Sequence, residues 1–301
     1  MKKSPRVTIG VPIYNGEKYM RQAFDSILNQ TFTDFEVIIA DNGSTDNTVA
    51  ICLEYAAQDD RIIFHQNETN LGAAFNYNKV FHLARGEYFR WAAHDDYNEP
   101  TALELMVKTL DENPEAILSY PKTILIDEND DLIEYHEDYY DLRSDSASKR
   151  FAKFFKSSAW CHPVFGLIRT EVLGRTGLIG NFASSDRVLL GELAVQGKCY
   201  EIPEHLAFRR LHPENSTEAN QTDEAMMNWY DPMKKAKLLT PRVVRMIAYA
   251  KGINRAPISF GEKIKSYGVL FRFYLSLDRL EGVQKELKQL FRAVPRIFSK
   301  A

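Results

Sequence analysis

Cysteine is scarce in this sequence. Its 301 residues include three, Cys52, Cys161 and Cys199, which are scattered and show no metal-binding spacing. An odd, scattered set excludes a disulfide-stapled scaffold and a cysteine-based zinc module. We therefore expect reduced thiols and a cytoplasmic location.

Long apolar runs are also missing. The longest uncharged stretch, residues 157–168, has about a dozen residues, whereas a membrane-spanning helix needs about 20. The basic N-terminus (Lys2, Lys3 and Arg6) precedes a short run that Pro12 interrupts. We interpret that run as a first β-strand and not as a signal peptide.

A glycine-rich phosphate loop is the third absence. The sequence contains neither G-x-G-x-x-G nor G-x-x-x-x-G-K, the two loops that place phosphates on a helix N-terminus. If the protein binds a nucleotide, we expect a metal ion to hold its phosphates.

The formal net charge of −3 hides an uneven distribution. Residues 234–301 contain 16 Lys and Arg against 4 Asp and Glu, and the first 233 residues contain 22 against 37. A basic segment favours an anionic partner, such as a membrane surface or an acidic subunit. The acidic body and the lack of a recognisable motif argue against nucleic acid. We divide the chain into a catalytic region, 1–223, and a basic helical region, 224–301.

Apolar runs alternate with helix-like periodicity through the first hundred residues. The runs lie at 7–11, 35–40, 61–65 and 88–93. This alternation predicts an α/β fold, a doubly wound, mostly parallel sheet with helices on both faces. The strand ends after Val11, Ala40 and Ala93 should then open on one edge, where ligands bind in such sheets.

Two adjacent acids, Asp95 and Asp96, follow the run at 88–93. Neighbouring carboxylates repel each other unless a positive charge lies beside them, and a divalent cation such as Mg²⁺ or Mn²⁺ is a common solution. The alternative is that the pair opens a turn and caps the next helix.

The second half is less regular. We predict strands at 116–120, 123–126, 132–135, 164–169, 199–202 and 206–211, and helices at 148–156 and from Ser185 onward. Towards the C-terminus, residues 283–298 have the pattern of a basic amphipathic helix. That helix suits a membrane surface, a homodimer contact or packing on the body.

Five motifs together resemble the inverting family 2 glycosyltransferases of GT-A fold, over about residues 6–215. They are Val11-Pro12-Ile13-Tyr14-Asn15, Ile39-Ala40-Asp41-Asn42-Gly43-Ser44-Thr45-Asp46, Asn70-Leu71-Gly72, His94-Asp95-Asp96 and Ser185-Asp186.

The resemblance implies a nucleotide-sugar donor, often a UDP-sugar. Tyr14 would pack on the base, the backbone near Pro12 would contact its edge, and Asp41 would accept the imide N–H. The alternative for Asp41 is a capped turn. The implied nucleotide-binding residues are Pro12, Tyr14, Asn15, Asp41, Asn70, Gly72, Asn76 and Asp95.

The resemblance also implies a Mn²⁺ or Mg²⁺ cofactor. Asp96 would bind the ion, Asp95 would share it or lie near the ribose, and His212 is a further candidate ligand. Two positions depart from the family pattern: Ala93 replaces a common Asp, and Phe75 replaces a common Arg.

Asp186 matches the family's catalytic base, which deprotonates an acceptor hydroxyl; the alternative is a helix N-cap. Trp160, Cys161 and His162 could meet the acceptor, although such a cluster is more often core. The implied function is sugar transfer to a glycan or lipid-linked acceptor in cell-surface polysaccharide synthesis, at the inner face of the membrane. The alternatives are a nucleotidyltransferase and a family member that binds without turnover.

Overall fold

The computed structural model describes residues 4–157, 160–220, 222–232 and 241–275. The described residues form a nine-stranded mixed sheet with helices on both faces, which confirms the predicted α/β class. The predicted amphipathic helix at 283–298 lies outside the described residues.

The strands carry the labels used below. They are β1 (Val7–Ile13), β2 (Phe35–Asp41), β3 (Ile62–Gln66), β4 (Tyr88–Trp91), β5 (Tyr97–Asn98), β6 (Ala116–Ile126), β7 (Leu132–His136), β8 (Leu167–Arg169) and β9 (Lys198–Arg210).

The helices follow the same order. They are α1 (Met20–Leu28), α2 (Thr48–Gln58), α3 (Ala73–His82), α4 (Ala102–Glu112), α5 (Ala147–Phe154), α6 (Thr170–Gly174), α7 (Ser185–Gln196), α8 (Ser216–Ala219), α9 (Asp223–Tyr230), α10 (Pro241–Arg255) and α11 (Phe260–Leu275), with a 3₁₀ turn at His162–Phe165.

The sheet runs in the order β3-β2-β1-β4-β8-β6-β9-β5, with β7 paired to β6. Its first four strands are parallel, so β1, β2 and β4 end at one edge as predicted. The β6–β9 pair is also parallel, while β8, β5 and β7 pair antiparallel.

Side-chain alternation along the strands divides the core between the two faces. Ile9 and Val37 pack with α1, α2 and α4 on one face, and Ile38 and Trp91 pack with α3, α5 and α7 on the other. Helices α10 and α11 pack on α7 and α5, and their Tyr249 and Leu270 join the second cluster.

Four predicted strands of the second half form only two in the structure. The predicted strands at 116–120 and 123–126 join in β6, and those at 199–202 and 206–211 join in β9, because β6 runs through Pro121 and β9 through Pro203. Pro121 pairs with Ile202 and Lys122 pairs with His205, so Pro203 and Glu204 bulge out of the pairing. A bulge accommodates residues that cannot donate a ladder hydrogen bond.

The predicted strand at 164–169 was also too long. His162–Phe165 form a 3₁₀ turn with Pro163 in its first residues, and only Leu167–Arg169 are strand. Gly166 separates them where a Cβ would lie 2.6 Å from the carbonyl oxygen of Ser119.

Candidate active site

A cleft of about 1720 Å³ opens at the carboxyl edge of β1, β2 and β4. Eight of the predicted site residues line it: Pro12, Tyr14, Asn15, Asn70, Asn76, Asp95, Asp186 and His212. The edge predicted from the strand order therefore gathers residues that are up to 200 positions apart. Asp41 and Gly72 are buried and do not line the cleft, and Asp96 lines a small adjoining pocket.

Asparagine side chains join the ends of β2 and β3 to the segment that leads into α3. Asn42 donates to Asn70 Oδ1 at 2.9 Å and accepts from Asn67 at 3.0 Å. Asn76 donates to the carbonyl oxygen of Ala40 at 2.7 Å and accepts from Asn67 at 3.2 Å. The side chains of Asn70 and Asn76 thus shape the cleft floor through contacts with other protein groups.

Asp41 lies at the end of β2 with no solvent exposure. Its carboxylate accepts backbone N–H groups of Gly43 and Ser44, both at 3.2 Å. These contacts are those of a capped turn, the alternative that the sequence left open. Base recognition by Asp41 remains a prediction.

Tyr14 and Asn15 follow β1 at the cleft mouth. Tyr14 is 42% exposed, which leaves its ring available to stack on a planar group. Asn15 has a positive φ of 50°, and its side-chain oxygen accepts the Thr45 N–H at 2.9 Å. Asn15 therefore joins the loops after β1 and β2.

Gly72 has a structural reason to be glycine. Its φ is +88°, and a Cβ there would lie 2.6 Å from the carbonyl oxygen of Tyr230. Both the backbone conformation and the close approach of α9 exclude a side chain.

The acidic pair lies where β9 ends. Asp95 Oδ2 is 3.0 Å from His212 Nε2 and accepts the Asn215 amide at 3.0 Å. Burial acts to raise the pKa of Asp95, but the charge of His94 and the hydrogen bond with His212 hold it below its usual range. The resemblance implied both residues as candidate metal ligands, and the structure brings their side chains together across more than a hundred residues.

Asp96 faces the backbone of β9. Its Oδ1 accepts the Arg210 N–H at 2.9 Å, and its Oδ2 lies 3.6 Å from Arg209 Nη1. Burial and the neighbouring Asp95 raise the pKa of Asp96. Neither acid caps the following helix, because α4 begins after Thr101.

The edge at Asp95 fits a hard divalent cation. Asp95 Oδ2 and His212 Nε2, 3.0 Å apart, offer a carboxylate oxygen and an imidazole nitrogen that such a cation could bind in place of their hydrogen bond. Asp95 and His212 would hold the ion on the cleft side, with Asp96 behind them. This order differs from the expectation that Asp96 is the principal ligand.

Asp186 lies in the first turn of α7, which follows the left-handed Ser184. Its carboxylate accepts the Arg187 N–H at 2.7 Å and the Cys161 thiol. Burial raises the pKa of Asp186. A carboxylate with a raised pKa on a cleft wall has the properties of a general base.

Sequence comparison decides the family. The sequence model of glycosyl transferase family 2 matches residues 8–177, more than half of the chain. The chain belongs to this family. The expected resemblance is thereby confirmed.

One relative and two solved structures are similar to this chain. An uncharacterized glycosyltransferase of Methanocaldococcus jannaschii is 33% identical over 172 residues, which are 56% of this chain and 57% of the relative. Staphylococcus aureus TarS (residues 1–349, with UDP) superposes with a TM-score of 0.65 at 18% identity, covering 96% of this chain and 81% of that one.

The second solved structure is a mannosyltransferase of Pyrobaculum calidifontis, in complex with GDP-Man and Mn²⁺. It has a TM-score of 0.53 at 16% identity and covers 100% of this chain and 89% of that one. At these identities the two structures establish the GT-A fold alone. The chain spans about 57% or less of the length of the curated relatives first matched.

The sequence analysis missed one charged residue of the cleft, Arg209. It lines the cleft, and the charges of Asp96 and Asp95 raise its pKa against the effect of burial. Arg210 instead contacts Gln22 and Asp130 and is 1% exposed. Alternation along β9 separates the two arginines, and that pattern was the available signal.

Trp160 and Cys161 form the wall beside Asp186. The Trp160 side chain lines the cleft at 45% exposure. His162 is nearly buried, and burial lowers the pKa of its imidazole. All three residues of the predicted acceptor cluster line the cleft, with Trp160 exposed and His162 nearly buried.

Proposed function

We propose that this family 2 member is a metal-dependent inverting glycosyltransferase that takes its sugar from a UDP-sugar. The observation that carries the proposal is the single cleft that contains both the Asp95–His212 edge and Asp186. TarS, with UDP bound, and the mannosyltransferase, with GDP-Man and Mn²⁺ bound, have the same fold. Both support a donor with a diphosphate.

In this proposal each part of the cleft has one task. Tyr14 stacks on the base. Arg209 offers a positive charge to the diphosphate, in place of the family's arginine that Phe75 replaces in this chain. A bound Mn²⁺ or Mg²⁺ would neutralise charge on the departing diphosphate. Asp186 accepts the proton of an acceptor hydroxyl at the opposite wall, beside Trp160.

The test is a thermal-stability screen of nucleoside diphosphates with and without Mn²⁺. Ligand at about 100 times its Kd stabilises a protein by about 2.7 kcal/mol, which raises Tm by several degrees at this size. We expect UDP with Mn²⁺ to give the largest shift. No shift with any nucleotide, or the same shift without the cation, would contradict the proposal.

The Asp41→Ala variant probes base recognition in the same screen. If Asp41 accepts the imide N–H, the variant loses its preference for UDP but keeps its response to Mn²⁺. If Asp41 only caps its turn, all nucleotides weaken together and the Tm without ligand falls. A sugar-transfer assay then distinguishes an enzyme from a member that binds without turnover.

We further propose that the acceptor is a glycan or lipid-linked sugar of cell-surface polysaccharide synthesis. In this proposal residues 1–223 carry the chemistry, and 224–301 hold the protein at the cytoplasmic membrane surface. Among the described residues, no helix is long and apolar enough to cross a membrane. Helix α11, however, exposes four large apolar side chains: Phe260 (78%), Ile264 (56%), Phe271 (53%) and Leu275 (57%).

Sedimentation with vesicles tests the membrane proposal. An exposed apolar face with neighbouring Lys263 and Lys265 suits an anionic interface. We expect the protein to sediment with phosphatidylglycerol vesicles and less with phosphatidylcholine, and Ile264→Ser/Phe271→Ser to reduce this binding. Leu53→Ser, an equally exposed apolar residue on α2 (54%), is the matched control. If the protein instead forms a concentration-dependent dimer and does not bind vesicles, the exposed apolar face of α11 contacts a second copy of the chain.

A further inference from the structure

A second set of metal-type side chains contains neither member of the acidic pair, although one of its histidines, His162, lines the small adjoining pocket together with Asp96. His136 ends β7, Asp138 follows two residues later, and His162 begins the 3₁₀ turn. One ligand atom of each lies within 4.8 Å of the other two. We searched the described residues for groups of three or more His, Cys, Asp or Glu side chains close enough to bind one ion. His136, Asp138 and His162 form such a group.

Two members of the set are buried with polar atoms unsatisfied. Asp138 is 2% exposed and His162 is 8% exposed. Among the described residues, neither His162 Nδ1 nor Asp138 Oδ1 makes a hydrogen bond, although the two atoms lie 3.2 Å apart as an ion pair. Buried polar atoms without a hydrogen-bond partner destabilise a fold, so a ligand shared by these two atoms would be favourable.

Neighbouring side chains outside the set orient His136 and Asp138. His136 Nδ1 lies 2.8 Å from Glu134 Oε1, which turns His136 Nε2 towards Asp138 Oδ1 at 3.9 Å. Thr123 Oγ1 donates to the second Asp138 oxygen at 3.5 Å. A carboxylate behind a histidine and a donor behind a carboxylate are the usual supports of metal ligands.

We propose that His136, Asp138 and His162 bind a zinc-type divalent cation, separate from the cation of the donor site. In a tetrahedral site with bonds of about 2.0–2.2 Å, neighbouring ligand atoms lie about 3.4 Å apart. The separations from Asp138 Oδ1 are 3.2 Å to His162 Nδ1 and 3.9 Å to His136 Nε2, on either side of that value, and the ligand atoms of the two histidines lie within 4.8 Å of each other. Two imidazoles favour Zn²⁺ over Mg²⁺ or Mn²⁺, which prefer oxygen ligands.

This ion would fix the wall beside the proposed catalytic base. It joins the end of β7 to the segment that starts at Trp160, whose ring centroid lies 5.8 Å from that of His136 and 5.6 Å from that of His162. Cys161 lies between Trp160 and His162, and its thiol S–H donates a hydrogen bond to the Asp186 carboxylate. A cation here would therefore tie the proposed acceptor side of the cleft, at Trp160 to His162, to the end of β7.

Zinc binding to the full-length protein tests this site. The protein is stripped with a chelator and titrated with Zn²⁺ against a chromophoric competitor, in the wild-type and Asp95→Asn backgrounds. We expect one tight equivalent that survives Asp95→Asn, and a rise in Tm. Asp138→Asn should weaken this equivalent by about 100-fold or more, since even supporting residues typically contribute about 10–100-fold.

Further variants keep the outcome decisive if Asp138→Asn folds poorly. His136→Gln alters the edge strand β7 and should also lose the tight equivalent, whereas His82→Gln, an exposed histidine on α3, should keep it. Co²⁺ should give visible absorption bands that His136→Gln abolishes. If Zn²⁺ binds the wild type and Asp138→Asn equally, or does not bind the Asp95→Asn protein, the site is a hydrogen-bonding cluster and the proposal is wrong.

Discussion

Asp95→Asn is expected to abolish most of the gain in UDP affinity that Mn²⁺ provides. The Asp95 carboxylate lines the cleft and lies 3.0 Å from His212 Nε2. Without a cation, the acids at this edge repel a diphosphate, so UDP alone should bind weakly. Loss of supporting residues around a metal typically costs about 10–100-fold in affinity, and we expect loss of a direct ligand to reach at least the upper end.

Calorimetric titration of UDP with and without Mn²⁺ measures this gain. His212→Gln should reduce it in the same direction, and Asp60→Asn, an exposed aspartate outside the cleft, should leave it unchanged. Asp96→Asn decides between the two arrangements. If Asp96→Asn abolishes the gain while Asp95→Asn retains it, Asp96 is the principal ligand, as the sequence alone suggested.

Local pattern was enough to predict the parallel half of the sheet. Near-continuous apolar runs such as 35–40 are typical of strands buried on both faces, and β2 is buried along its whole length. Parallel strands end at a common edge, so the positions of Tyr14 and Asp95 on one cleft follow from strand order alone.

The sequence could not show whether a polar side chain at the cleft edge bonds to other protein groups or is available to a ligand. Asn76 and Asp41 stand at the predicted edge, but Asn76 donates to the Ala40 carbonyl and Asp41 accepts from its own turn. These contacts depend on backbone conformation, which a motif does not specify. The same limit hid the bulge at Pro203, because a proline predicts a break unless the partner strand is known.

Groups assembled from distant segments were the hardest to predict. Arg209 becomes a cleft residue only because β9 returns beside the acidic pair. His136 and His162 are 26 positions apart and meet through the path of β7 and the 3₁₀ turn. Neither spacing resembles a metal motif, so the sequence carried no local signal for the set.

Asp186→Asn is expected to remove most of the sugar-transfer rate while leaving donor binding intact. General bases typically contribute about 10²–10⁴-fold, and we expect the upper part of this range because an unactivated sugar hydroxyl is a poor nucleophile. The amide oxygen of the substituted side chain can still accept the Arg187 N–H, so the first turn of α7 is preserved. Burial raises the pKa of Asp186, so the ionised form is disfavoured in the folded protein, and the variant should melt no lower at neutral pH.

The pH profile separates the base from a structural role. A base must be ionised, so kcat/KM should fall as pH decreases through the pKa of Asp186, which burial raises above the usual value of about 3.9. The residual activity of Asp186→Asn should lack this acid limb, and Asp186→Glu should restore part of both rate and limb. Glu218→Gln, which removes a carboxylate from the same cleft, is the matched control and should leave the profile unchanged. Normal melting, normal UDP binding and near wild-type transfer by Asp186→Asn would remove Asp186 from the mechanism.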